Sequence, residues 1–191
     1  KDFAKYVNTP ETMIYHKRQH LFGLDTTHDY IKQEGYAVLV EGEFDLLSAW
    51  QADVRNIAAI KGSAFTEEQA RLLSRFCQEV VFALDSDAAG QQATQQGIMT
   101  ALQYFTTVRV ASLGAFKDPD EAVRTDPKVF KKKISTALHA YDFFVEQALS
   151  RHKNITTTEV AAISRELVPI VAAIPDKIVQ AHYIKVIAER L

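Results

Sequence analysis

Ala37-Val38-Leu39-Val40-Glu41-Gly42-Glu43-Phe44-Asp45 runs a short apolar segment straight into carboxylates, after which Leu46, Leu47 and Trp50 recur at helical spacing. An apolar run without alternation reads as a strand buried on both faces, and such strands belong to parallel sheets covered by helices. The same unit repeats along the chain. Asn56–Ile60 is a second strand, stopped by Lys61-Gly62, and Thr66-Glu67-Glu68-Gln69 opens a helix as a capping box with Leu72, Leu73 and Phe76 toward the interior. Val80–Leu84 is the third strand, Gly90–Gln103 the third helix and Val108–Ala111 the fourth strand. This β-α-β-α-β-α-β order predicts an α/β fold, a parallel four-stranded sheet with right-handed crossovers and helices on both faces.

After Lys117 the strand signals stop. Asp120–Arg124, Val129–Ser150, Val160–Ala173 and Lys177–Leu191 read as helices, separated by Asp126-Pro127, by His152–Thr156 and by Pro175. Thr156 to Glu159 supplies a cap, and Pro169 should kink its helix or mark its end. The expected division is therefore 1–35 as the end of a preceding subdomain, 36–117 as the α/β domain and 118–191 as a small helical subdomain. The opening thirty or so residues resemble the tail of something larger, which makes an excised fragment the expectation.

Composition narrows the class. With 47% hydrophobic and 24% charged residues the chain is an ordinary globular sequence rather than a disordered or fibrous one. No apolar run approaches the ~20 residues of a membrane span, and Lys1-Asp2-Phe3-Ala4-Lys5 lacks signal-peptide form. A soluble, cytoplasmic protein with no membrane partner is expected. The single cysteine, Cys77, excludes an internal disulfide and a thiolate zinc cluster, and its apolar surroundings suit a core residue. A net charge of −2 argues against strong autonomous grip on DNA phosphates. Local exceptions are Lys17-Arg18 and the group Lys128, Lys131, Lys132 and Lys133, the latter reading as a solvated helix face.

Three acidic clusters, Glu41 to Asp45, Asp85-Ser86-Asp87 and Asp118-Pro119-Asp120, each follow a strand-like segment. Strands of a parallel sheet open their carboxyl ends onto one edge, where residues distant in sequence converge. Each cluster also has a plainer reading. Acidic residues at a helix start suit the macrodipole, and Asp118 as N-cap, Pro119 at N1 and Glu121 at N3 form a complete capping arrangement. Asp85 and Asp87 share a face in extended geometry, where like charges repel unless a cation neutralises them. Three independent caps, each beyond a different strand of one sheet, are a poorer account than one site of hard oxygen ligands for Mg²⁺ or Mn²⁺.

Val40-Glu41-Gly42-Glu43-Phe44-Asp45, followed about forty residues later by Ala83-Leu84-Asp85-Ser86-Asp87-Ala88-Ala89-Gly90, resembles the TOPRIM domain of DnaG-type primases, topoisomerases, OLD-type nucleases and recombination mediators. Asn8-Thr9-Pro10-Glu11-Thr12, Tyr15-His16-Lys17, Leu21-Phe22-Gly23-Leu24, Ala89-Gly90 with Ala93, and Lys117-Asp118-Pro119-Asp120 are similar to the bacterial primase branch over essentially the whole chain. Three positions depart from the usual pattern: Ser86 stands for Gly, Ala88 for Arg, and Glu43 for a common Tyr. The resemblance implies RNA-primer synthesis on a single-stranded DNA template from ribonucleoside triphosphates, weak or absent in an isolated fragment. It implies two divalent ions, Mg²⁺ or Mn²⁺, at Glu41, Asp85, Asp87, Asp118 and Asp120, with Glu41, Asp85 and Asp87 catalytic and Asp45 supporting. Lys17 and Arg18 would meet nucleotide or template phosphate. Zinc would belong to a domain absent from this chain, as would the part that binds the replicative helicase. A metal-dependent OLD-type nuclease and a metal-free scaffold are the alternatives; a topoisomerase is disfavoured, since it needs a Tyr nucleophile in a separate domain and the Glu usual to it soon after the aspartate pair is missing here.

Overall fold

A computed structural model describes residues 11–61, 64–84, 88–152 and 156–191, with 88–93 described as backbone only. The expected four strands form as β1 (Tyr36–Val40), β2 (Ile57–Ala59), β3 (Glu79–Phe82) and β4 (Thr107–Val110). They lie in the order β2-β1-β3-β4, every neighbour parallel, with Val38 opposite both Ile57 and Val81 and with Phe82 opposite Val110. The central strands have no alternation because both faces are covered: Val38, Leu39, Val80, Val81 and Phe82 are fully buried.

On one face Val38, Val40 and Val81 pack in a cluster with Leu46 and Ala49 of α2 (Glu43–Gln51), and with Phe130 and Ile134 of α6 (Pro127–Ser135). Phe65 meets the Phe82 ring edge-on at 5.7 Å, at the side of the sheet served by α3 (Glu67–Leu73) and α4 (Ala88–Ala101). Gly97 in α4 is needed there, since a Cβ would stand 3.1 Å from Phe65 Cβ and 3.3 Å from its backbone nitrogen. Arg109 of β4 bonds Glu79 of β3 through Nε at 2.7 Å and also through Nη2, while its Nη1 donates to the Ile134 carbonyl, fastening α6 to the sheet.

Gln69, 1% exposed, closes the predicted capping box: its Oε1 accepts from Thr66 N at 3.0 Å and Thr66 Oγ1 accepts from Gln69 N at 3.2 Å. Its amide nitrogen also donates to the carbonyls of His20 (2.8 Å) and Ile60 (3.0 Å), tying the segment before the sheet to the end of β2. Helix α1 (Leu24–Glu34) lies in a stretch that carried no helical expectation. Left-handed Gly23 and Gly35 bracket it, and Leu24, Thr27 and Ile31 form its buried face.

Two compact units divide after Ala137. The helices α5 (Pro119–Thr125) and α6, grouped by sequence with the C-terminal helices from 118 onward, instead belong to the first unit, because Ala122, Val123, Phe130 and Ile134 complete the core against the sheet. The helix expected over Val129–Ser150 is likewise divided. At the end of α6 the Lys132 carbonyl accepts from Thr136 N and also from Ser135 Oγ and Thr136 Oγ1, each at 2.9 Å.

In the second unit a two-residue strand β5 (Leu138–His139) precedes α7 (Ala140–Ser150), α8 (Thr157–Ala172) and α9 (Lys177–Arg190). Thr156 and Glu159 cap α8 reciprocally, and the helix continues past Pro169 to Ala172. Phe144, Val145, Ile163, Leu167, Ile170 and Tyr183 are buried here, and Tyr183 Oη donates to Asp142 Oδ1 at 3.0 Å.

His139 caps α7, its Nδ1 accepting from Tyr141 N at 3.4 Å, and burial holds its pKa below the ordinary value against the opposing pull of Asp142. A lowered folded pKa gives stability that is present above the unfolded value near 6.5 and lost as pH falls through the folded one. Amide exchange in α7 should therefore quicken as pH is lowered from 6.5, after correction for intrinsic rates. His139→Asn, which keeps a capping acceptor, should flatten that dependence; an identical profile in the two proteins would remove His139 from this role.

Candidate active site

The chain runs from β1 outward to β2 on one side and to β3 and β4 on the other, so the sheet's topological switch point lies between β1 and β3, where α/β folds place their ligands. Glu41 immediately follows β1 at that edge, half-buried, with its carbonyl accepting from Lys61 N at 3.1 Å. The backbone bonds from Ala83 N to Leu39 O and from Ala111 N to Phe82 O carry the chain beyond β3 and β4 off the same edge. Asp85 and Asp87 lie outside the described residues.

Asp45 stands at the third position of α2. Its Oδ2 accepts from Gly42 N at 3.0 Å and its Oδ1 from Asp120 N at 3.1 Å, so one carboxylate fixes the turn after Glu41 and the start of α5 together. The residue is only 8% exposed. Burial raises its pKa, the two backbone N–H groups oppose that rise, and the charges of Asp118 and Asp120 add to it. Asp120 Oδ1 accepts from Ser48 Oγ, a residue that carried no sequence signal, and Asp120 Oδ2 lies 3.5 Å from exposed Arg124. Asp118 is the expected N-cap, accepting from Glu121 N at 2.8 Å with Pro119 at N1. The reciprocal bond differs from expectation: Glu121 Oε2 accepts from Lys117 N at 2.6 Å, one residue earlier than the N-cap.

Glu43, the extra acid of the first motif, turns toward Lys61, whose Nζ lies 2.8 Å from Glu43 Oε1. That hydrogen bond is the main cause of the lowered Glu43 pKa and of the raised Lys61 pKa. Lys61 itself has a left-handed backbone, φ 55°. It lines a cleft of about 630 Å³ with Lys17, Arg18, Phe65, Gln96 and Thr100. Lys17 and Arg18 form a short 3-10 turn (Lys17–Gln19), pinned by Thr66 Oγ1 donating to the Arg18 carbonyl at 2.6 Å.

The donor set around Asp45 is all oxygen and mutually repelling, which is chemistry that a hard divalent cation relieves. Among the described residues no group of three or more His, Cys, Asp or Glu is arranged to hold a metal. No helix among the described residues is long and apolar enough to cross a membrane.

The family model described as Toprim-like matches residues 38–123, which span β1 to α5 and all three acidic motifs. The DNA primase of Synechocystis is 31% identical over the full length of this chain, and that of Aquifex aeolicus 41% identical over 63% of it. The chain belongs to the Toprim-containing bacterial DNA primases. It spans 31% and 24% of the length of those two relatives. A solved structure of the DnaG primase catalytic domain bound to single-stranded DNA superposes over the whole chain with a TM-score of 0.82 at 26% identity, 61% of that structure being covered. The model for the DnaB-helicase binding domain of primase matches residues 141–191, so a helicase-binding signature lies inside this primase chain rather than outside it as the sequence reading had it.

Removing the Asp45 carboxylate leaves two backbone donors at a buried position. Asp45→Ala should cost about 2 kcal/mol in urea unfolding with an unchanged m-value, and Asp45→Asn about half as much, since one amide oxygen still accepts. Wild-type midpoints for both variants would show that the carboxylate does not organise this edge.

Proposed function

We propose that this primase chain is part of an enzyme that synthesises RNA primers on single-stranded DNA. The observation that carries the reading is the junction of acidic Toprim edge and cationic cleft, with the Lys61–Glu43 contact between them, in a chain similar throughout to DNA primases. A primer 3′-hydroxyl attacks the α-phosphorus of an incoming ribonucleotide, a P–O bond forms, and pyrophosphate leaves. Glu41 takes the hydroxyl proton. Asp85, Asp87, Asp118 and Asp120 would hold Mg²⁺ or Mn²⁺, which neutralises charge on the attacking and leaving oxygens. Asp45 supports Asp120 by fixing its backbone. Lys17 and Arg18 receive phosphate of the nucleotide or template. Residues 36–117 act as the Toprim domain, and residues 141–191 dock on the replicative helicase, as their match to the helicase-binding model suggests.

Given Mg²⁺, the four ribonucleotides and a single-stranded template, the intact protein should make short RNA. Glu41→Gln should lower that synthesis by at least about 10²-fold, the scale of a lost general base. Template degradation that depends on Glu41, with no RNA made, would replace this reading by a nuclease.

Divalent ions should also raise the melting temperature, because a cation bound by the folded state alone stabilises it by about 2.7 kcal/mol at a hundredfold excess over Kd. The double change Asp118→Asn and Asp120→Asn should shrink the shift. A melting curve indifferent to millimolar Mg²⁺ and Mn²⁺ would sink the metal assignment.

A further inference from the structure

We propose that Lys61 is a phosphate contact, a preset cation on the wall of the cleft it shares with Lys17 and Arg18, with the phosphate of a nucleotide or of a single strand as its ligand; this rests on the primase reading above. The ammonium is fixed from two sides. Its Nζ lies 2.8 Å from Glu43 Oε1 and stands 5.5 Å from the centre of the Phe22 ring. An ammonium has three N–H donors, and the Glu43 contact accounts for one of them. A lysine normally surrenders much side-chain freedom when it grips a ligand, so one already held in place binds phosphate at lower entropic cost.

The backbone supports the same assignment. Lys61 adopts a left-handed φ of 55°, which non-glycine residues rarely take and which clusters at ligand sites. Its amide donates to the Glu41 carbonyl at 3.1 Å, so this cation is registered to the acidic edge by its main chain as well as by its side chain. The cleft volume, about 630 Å³, suits a nucleotide-sized ligand. Glu67 and Glu68 also line it, and Arg18 lies 3.9 Å from Glu68, which leaves Lys61 as a cation of the cleft whose own carboxylate partner, Glu43, lies outside the lining. A phosphate oxygen would take a remaining Lys61 donor beside Glu43.

In the intact protein, binding of Mg²⁺-ATP and of a labelled oligo-dT is measured by fluorescence anisotropy across a salt series. Lys61→Met, which keeps the stem over Phe22, should weaken one or both by about tenfold, the cost of a charge-assisted hydrogen bond. ATP affected alone assigns the nucleotide; oligo-dT affected with its salt slope reduced by about one assigns the strand. Unchanged affinity for both probes, with only a lower melting temperature, overturns the proposal and leaves a structural ion pair. Lys17→Ala with Arg18→Ala separates the two levels of argument. If that pair weakens binding and Lys61→Met does not, Lys61 alone is misassigned; if neither matters, the cleft reading fails too. Should Lys61→Met not fold, Glu43→Gln decides: a rise in affinity of twofold or more supports the contact, and an unchanged or weaker affinity overturns it.

Discussion

One buried carboxylate holds the acidic edge together against its own electrostatics. Asp45 bonds Gly42 N and Asp120 N with separate oxygens, so the turn after β1 and the first turn of α5 become a single rigid corner although they are 75 residues apart. Desolvation and the neighbouring charges of Asp118 and Asp120 disfavour the ionised form, and the two N–H donors favour it. Neutral backbone bonds contribute about 1 kcal/mol each and bonds to charged groups more, so the pair can outweigh a partial burial penalty. The helices then follow. With α5 anchored at its N-terminus, Ala122 and Val123 reach the core that contains Leu46 and Ala49 of α2, and Asp118 remains where its side chain caps the helix beside the sheet's open edge.

The strands were legible because a sheet covered on both faces needs runs such as Ala37–Val40 and Val80–Phe82, with no polar residue to interrupt them, whereas their order in the sheet was not. The caps at Thr66, Asp118 and Thr156 were legible for the same reason of locality, since an N-cap and its partner lie three residues apart. Long-range partners were not. The roles of Gln69, which satisfies carbonyls nearly fifty residues away, and of Ser48, which donates to Asp120 across 72 residues, depend on contacts that no window of sequence contains. Helix α1 was passed over because its buried face is sparse, Leu24, Thr27 and Ile31 among polar residues, although the glycines at both ends were a usable signal. The break after Ser135 is not legible because an apolar pattern at helical spacing runs through it.

A net charge of −2 does not describe how charge is placed on the chain. Charge is sorted only in part: Asp45, Asp118 and Asp120 stand around the junction of α2 and α5, while Lys17, Arg18 and Lys61 line a cleft beyond the end of β2 that Glu67 and Glu68 share. Gross composition is blind to that sorting, which arises because Gln69 and Thr66 dock the Lys17–Gln19 turn onto α3.

Glu43 shows how a departure from a family pattern is absorbed. An additional carboxylate beside Glu41 would ordinarily increase repulsion at an acidic edge, yet here its charge is matched by Lys61 and its pKa falls rather than rises. The pair is partly exposed, with side-chain accessibilities of 24% and 36%, and pairs of that kind are worth about 0.2–1 kcal/mol. So small a gain does little for global stability and cannot by itself account for a lysine held in the left-handed region, a conformation that costs about 1–3 kcal/mol. The balance makes position, rather than stability, the consequence of the contact: Glu43 and the Phe22 ring fix where the ammonium stands, between the first acidic motif and the cleft.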